Sequence, residues 1–135
     1  MRLALLVIPF LAGLLAAADK PTVIVVTGAP GTDEYGELFA KWTNQWEEVA
    51  KRAKANFRKV GPSKRGNPKE TLRELLAKQP KQSMQPLWLA LVGHGTYGGK
   101  QAKFNLSGPD LEAGELAAWL KDFDRPLVIV NCSAS

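Results

Sequence analysis

The chain holds one histidine and one cysteine, and each follows an apolar run. Leu87-Trp88-Leu89-Ala90-Leu91-Val92 leads into Gly93-His94-Gly95. Pro126-Leu127-Val128-Ile129-Val130 leads into Asn131-Cys132-Ser133. An imidazole within reach of a thiol is a general base beside a nucleophile, the pairing used for acyl transfer. In that chemistry His94 takes the Cys132 proton and later returns one to the leaving amine. Gly95 has no side chain, so a substrate carbonyl can approach its N–H. That N–H and the one on Cys132 are the candidate oxyanion donors. Thr96, Asn131 and Ser133 are the candidate pocket neighbours. A zinc site needs three or four clustered ligands, and one histidine with one cysteine is too few. Neither a metal nor an organic cofactor is expected.

The surrounding elements must bring these residues together. Both apolar runs read as buried parallel strands, whose carboxyl ends form the edge at which open α/β sheets bind ligands. Thr22–Thr27 is a third run of this kind, and Gly28-Ala29-Pro30-Gly31 ends it in a tight loop. Thr32 or Asp33 then caps a long helix. Tyr35, Phe39, Trp42, Trp46 and Val49 recur at helical spacing and predict one face packed on the sheet. Residues 55–60 predict a short edge strand. Asn67-Pro68-Lys69-Glu70 combines an N-cap, a proline at the first helical position and a glutamate three residues after the cap, so it opens a second helix. Leu72, Leu75 and Leu76 form its inner side, and Pro80 ends it. Residues 96–100 read as a flexible glycine-rich loop and 103–106 as a short strand. Residues 112–122 read as a third helix with Leu116, Trp119, Leu120 and Phe123 inward. This alternation predicts the α/β class: a three-layer α/β/α sandwich with a mostly parallel sheet.

Composition narrows the function classes. Met1-Arg2, an apolar stretch from Leu3 to Leu15 and then Ala16-Ala17-Ala18 form the pattern of a secretory signal peptide over residues 1–18. Its apolar core falls short of the ~20 residues a membrane span needs. Export to the periplasm or the medium is expected, with residues 19–135 as the mature domain and no integral membrane segment after cleavage. A single cysteine cannot form an internal disulfide, so the thiol is either buried, paired with another chain or reactive, and reactivity is the reading that also explains the histidine. The net charge is +5. Much of the excess lies between Lys51 and Lys69, with no acid between Glu48 and Glu70. No aromatic interleaving or nucleic-acid motif accompanies it, so a solvated surface is the reading and nucleic acid is not an expected partner. Gly28-Ala29-Pro30-Gly31-Thr32 lacks the Gly-Lys-Ser/Thr of a phosphate loop.

Hydrophobic strand, His-Gly, helix, hydrophobic strand, then a polar residue and Cys resembles the caspase-like cysteine peptidases, the legumain-like branch and its exported bacterial relatives in particular. The segments that carry the likeness are 87–95 and 127–135, with 104–110, 115–120 and Gly31-Thr32-Asp33-Glu34-Tyr35-Gly36 after the first strand. The His94–Cys132 separation is shorter than the ~50 residues noted for caspases. The resemblance implies a Cys/His dyad that hydrolyses peptide bonds in a peptide or protein substrate, with His94 as base and Cys132 as nucleophile. Two departures stand beside it. Legumain carries an arginine in the loop after its first strand, and Gly28–Gly36 has none, so an asparagine preference does not carry over. The family fold also continues past the cysteine with further strands, so residues 19–135 correspond to its N-terminal part. The rival reading is a non-catalytic exported binding or scaffold module on the same fold.

Overall fold

The computed structural model describes residues 19–134. The expected export signal, residues 1–18, lies outside them. In chain order the elements are β1 (Thr22–Thr27), α1 (Asp33–Arg52), β2 (Asn56–Val60), α2 (Pro68–Ala77), β3 (Leu87–Gly98), β4 (Gln101–Phe104), β5 (Leu111–Glu112), α3 (Ala113–Leu120) and β6 (Leu127–Ala134). The class is α/β, with a mixed six-stranded sheet rather than a wholly parallel one. β1 lies between β2 and β3, β6 pairs with the other side of β3, and all of these pairings are parallel. β4 folds back antiparallel on the far end of β3 and then pairs with β5.

Strand alternation divides the core in two. Ile24, Val26, Leu87, Leu89 and Leu91 pack with Leu72 and Leu76 of α2 and Leu116 and Leu120 of α3. Val23, Val25, Ala90 and Val92 pack on the opposite face with Phe39 and Ala50 of α1. β1 is buried at every position because helices cover both its faces.

The helix starts follow their caps. The Thr32 hydroxyl accepts from the Tyr35 N–H at 3.4 Å, and Asp33 and Glu34 sit in the positive first turn. The Asn67 side chain accepts from Glu70 N–H at 3.3 Å, with Pro68 at the first helical position. Lys69 is not part of the solvated basic surface. Its ammonium bridges Glu115 at 2.6 Å and donates to Asp110 O at 3.1 Å, joining α2 to the start of α3. That hydrogen bond from Lys69, with the one from Glu112 N–H, holds the Glu115 carboxyl below its ordinary range.

Three segments differ from expectation. The run expected to end at Val92 continues as β3 through His94 to Gly98. Residues 96–100 are not a loose loop. Gly99 and Lys100 have φ of 59° and 69°, the paired positive values that a two-residue hairpin turn needs, and they join β3 to β4. β6 likewise runs past Val130 through Cys132. Among the described residues, no helix is long and apolar enough to cross a membrane.

Gly28 sits where chains crowd. A Cβ there would lie 2.6 Å from Asn105 O, the carbonyl that accepts from Ala29 N–H at 2.9 Å. Gly114 in α3 meets nothing within 4 Å. Gly28→Ala is expected to destabilise by about 1–3 kcal/mol through overpacking. Gly114→Ala is expected to stabilise by about 0.4–1 kcal/mol through the unfolded chain. Urea unfolding of both variants checks the contrast.

Candidate active site

His94 and Cys132 are both held on strands, not on loops. Val92 is in register with Cys132 and His94 with Ala134. Even-numbered positions of β3 and β6 face α1, since Ala90, Val92 and Val130 pack in that half of the core. The imidazole and the thiol therefore project from neighbouring strands onto one face, at one edge, two positions out of register. With strands about 4.8 Å apart and about 3.3 Å of rise per residue, their Cα atoms are ~8 Å apart.

The histidine is oriented by two neighbours. Its Nε2 lies 3.2 Å from Pro30 O in the loop after β1. A carbonyl can only accept, so Nε2 carries the hydrogen in this contact and the neutral ring keeps its lone pair on Nδ1. Tyr35 and Phe39 of α1 hold the ring edge-on, with centroids at 4.6 and 5.1 Å. The capped start of α1 thus fixes the imidazole plane, and the β1 loop fixes its tautomer.

Cys132 is a free, exposed thiol. It lies in a cleft of about 520 Å³ with Trp42, Gln45, Trp46, Val49 and Val92. The helical stripe expected to be wholly buried divides here. Phe39 is buried, but Trp42 is 39% and Val49 52% exposed. α1 packs over β1, β2 and β3, and the cleft lies open between its Trp42–Val49 flank and Cys132 on β6.

The backbone parity of β3 and β6 decides the oxyanion donors. Leu87 N–H donates to Pro126 O at 2.9 Å, and Gly28 N–H donates to Val92 O at 2.9 Å on the other side. Odd-numbered residues of β3 therefore direct N–H and C=O toward β6, and even-numbered residues of β6 direct theirs toward β3. Gly95 N–H points to the β6 side, consistent with His94 O being used by Asn105 N–H at 3.0 Å. The Cys132 N–H points into the ladder at Leu91 O. The expected donor pair is corrected accordingly: the pairing of His94 with Ala134 turns Gly95 N–H onto Ala134 O, so the Gly95 and Cys132 N–H groups are both engaged in the ladder.

The candidate neighbours fall elsewhere. Asn131 and Ser133 alternate with Cys132 and so face α3. With Gly95, Thr96, Leu111 and Leu116 they line a separate cavity of about 270 Å³. Asn131 Oδ1 accepts from Ser133 Oγ at 2.7 Å and from Ser133 N–H at 3.1 Å. Thr96 Oγ1 accepts from Asn105 Nδ2 at 3.5 Å. Asn131 and Ser133 do not face the thiol across the α1 side, and Thr96, which keeps the parity of His94, engages its hydroxyl with Asn105. The Pro30 carbonyl and the Tyr35–Phe39 clamp were not visible as site residues in the sequence. Their signal was the position of Gly28–Gly31 at the carboxyl end of β1, on the rim that carries His94. Among the described residues, no group of three potential ligands is clustered to hold a metal.

Protein-family models, curated proteins and solved structures contain no match to this chain.

An exposed thiol on the same sheet face as an oriented imidazole is expected to react faster than a lone one. Iodoacetamide is expected to alkylate Cys132 in the folded chain at neutral pH, and His94→Ala to slow it by about tenfold or more. Mass spectrometry of the alkylated chain over time checks this.

Proposed function

We propose that this chain is a caspase-like cysteine peptidase acting through Cys132 and His94 on an extended peptide. The observation that carries the reading is the oriented imidazole. His94 gives Nε2–H to Pro30 O and keeps Nδ1 for the thiol on the face it shares with Cys132. A nucleophile, its base and a third group that fixes the base form the general pattern of activated nucleophiles. Parallel strands β2, β1, β3 and β6 with helices on both faces suit the proposed three-layer caspase-like arrangement.

The reaction follows from those atoms. Nδ1 removes the thiol proton, and the thiolate attacks the scissile carbonyl. Nδ1–H then protonates the departing amine, and water, deprotonated by the same nitrogen, releases the acyl group from sulfur. Closing ~8 Å between Cα atoms is within reach of two side chains that lean toward one another. Unliganded sites of this kind are commonly open.

Incubation with a mixture of denatured proteins, with new N-termini identified by mass spectrometry, tests the activity. Cleavage is expected from the chain, with a loss of ~10³-fold or more in Cys132→Ala and ~10²–10⁴-fold in His94→Ala. Absence of cleavage together with alkylation unaffected by His94→Ala would overturn the reading in favour of a binding module.

A further inference from the structure

We propose that Asn105 and Asp110 are positioning residues for His94: the Asp110 carboxylate holds the Asn105 side chain, and the Asn105 main chain clamps the Pro30 loop against the histidine strand. The inference rests on the reading of His94 as the catalytic base and extends it beyond the groups that touch the ring.

Three hydrogen bonds close a circuit around the imidazole. Asn105 N–H donates to His94 O at 3.0 Å, and Ala29 N–H donates to Asn105 O at 2.9 Å. The next residue is Pro30, whose carbonyl takes Nε2–H at 3.2 Å. The circuit returns through the ring to the His94 backbone. Asn105 therefore sets the spacing between the backbone that carries the imidazole and the carbonyl that orients it. A catalytic group works only when held within about 0.5 Å of its productive position, so that spacing bears directly on the base.

Asp110 fixes Asn105 from outside the circuit. Its Oδ2 accepts from Asn105 Nδ2 at 3.2 Å, and its Oδ1 accepts from Leu106 N–H at 3.1 Å. Hydrogen bonds to a carboxylate are the stronger kind. The same Asn105 amide nitrogen reaches Thr96 Oγ1 at 3.5 Å, two residues past His94. Side chain and main chain of Asn105 thus both grip the histidine strand. The carboxylate is not needed elsewhere. α3 starts with its own cap, Glu115 accepting from Glu112 N–H at 3.1 Å. Lys69 reaches the Asp110 main-chain carbonyl and Glu115, not the Asp110 carboxylate. Among the described residues, no cation pairs with that carboxylate.

Reversing donor and acceptor tests this. Asp110→Asn and Asn105→Asp each break the bond between the two side chains. Made together they restore it in the opposite sense, and Leu106 N–H keeps an acceptor at position 110. In each single variant, exchange of His94 Nε2–H with water, followed by NMR, is expected to quicken about tenfold or more. Cys132 alkylation is expected to slow about fivefold, and cleavage to lose about tenfold in kcat with little change in KM. The double variant is expected to bring each quantity back to within about threefold of the unaltered chain. A pair that only stabilised its own loop would lower the urea midpoint and leave the ring hydrogen of the folded chain unmoved. Folded single variants with unchanged Nε2–H exchange, or a double variant that restores nothing, would overturn the proposal. The ring hydrogen reads the clamp without turnover. Its dependence on Asp110 in a chain that cleaves nothing supports the clamp and counts against the peptidase alone. Should the single variants fail to fold, the amides of Ala29, Asn105 and Leu106 in the unaltered chain decide. Opening at one common free energy supports the circuit, and independent opening overturns it.

Discussion

Val92 lies beside Cys132, and His94 beside Ala134, because β3 and β6 pair in parallel in one register. A slip of one residue would turn the thiol to the α2–α3 face and strand it from the imidazole. Several independent contacts fix that register. Leu87 N–H meets Pro126 O at 2.9 Å where the two strands begin. Arg125, buried just ahead of β6, donates from Nε to Gln85 O at 2.8 Å, just ahead of β3. Val130 then has its place beside Ala90 and Val92 under α1. The same alternation separates the thiol cleft from the cavity at Asn131 and Ser133.

A second constraint acts on the imidazole. The carboxyl end of β1, the loop at Pro30 and the first turns of α1 converge on His94. Crowding holds that convergence together. Gly93 and Gly28 bring their backbones so close that a Cβ on Gly93 would lie 3.1 Å from Gly28 Cα and 2.9 Å from the Phe104 ring. The Thr27 and Thr43 hydroxyls, buried and 2.8 Å apart, tie the end of β1 to the middle of α1. The histidine is thus oriented by packed backbone and aromatic rings, with no carboxylate partner among the described residues.

Much of this was legible in the residues. The β-branched run Thr22–Thr27, the Asn67-Pro68 helix start and the acids after Thr32 name their elements through local physics that tertiary contacts do not reverse. Ends were harder. Gly93 and Gly95 look like a strand terminus, yet β3 continues because its later residues find β4, a long-range partner that local composition does not announce. The faces of Asn131 and Ser133 follow from simple alternation once Cys132 is known to lie within the strand, and a strand ending at Val130 concealed that. Trp42 and Val49 fit a buried helical stripe, but the helix packs over β1, β2 and β3 and leaves that flank open beside Cys132, which is a tertiary fact. The Pro30 contribution is a main-chain carbonyl, to which no residue type points.

The chain has a single histidine, so its imidazole nitrogen signals are assigned without ambiguity. Long-range proton–nitrogen NMR of His94, in the chain and in Cys132→Ala, tests the coupling of ring and thiol most directly. The account predicts the Nε2–H tautomer in both, with the Nδ1 resonance displaced when the thiol is removed. A ring protonated on Nδ1, or nitrogen shifts indifferent to the loss of Cys132, would contradict it.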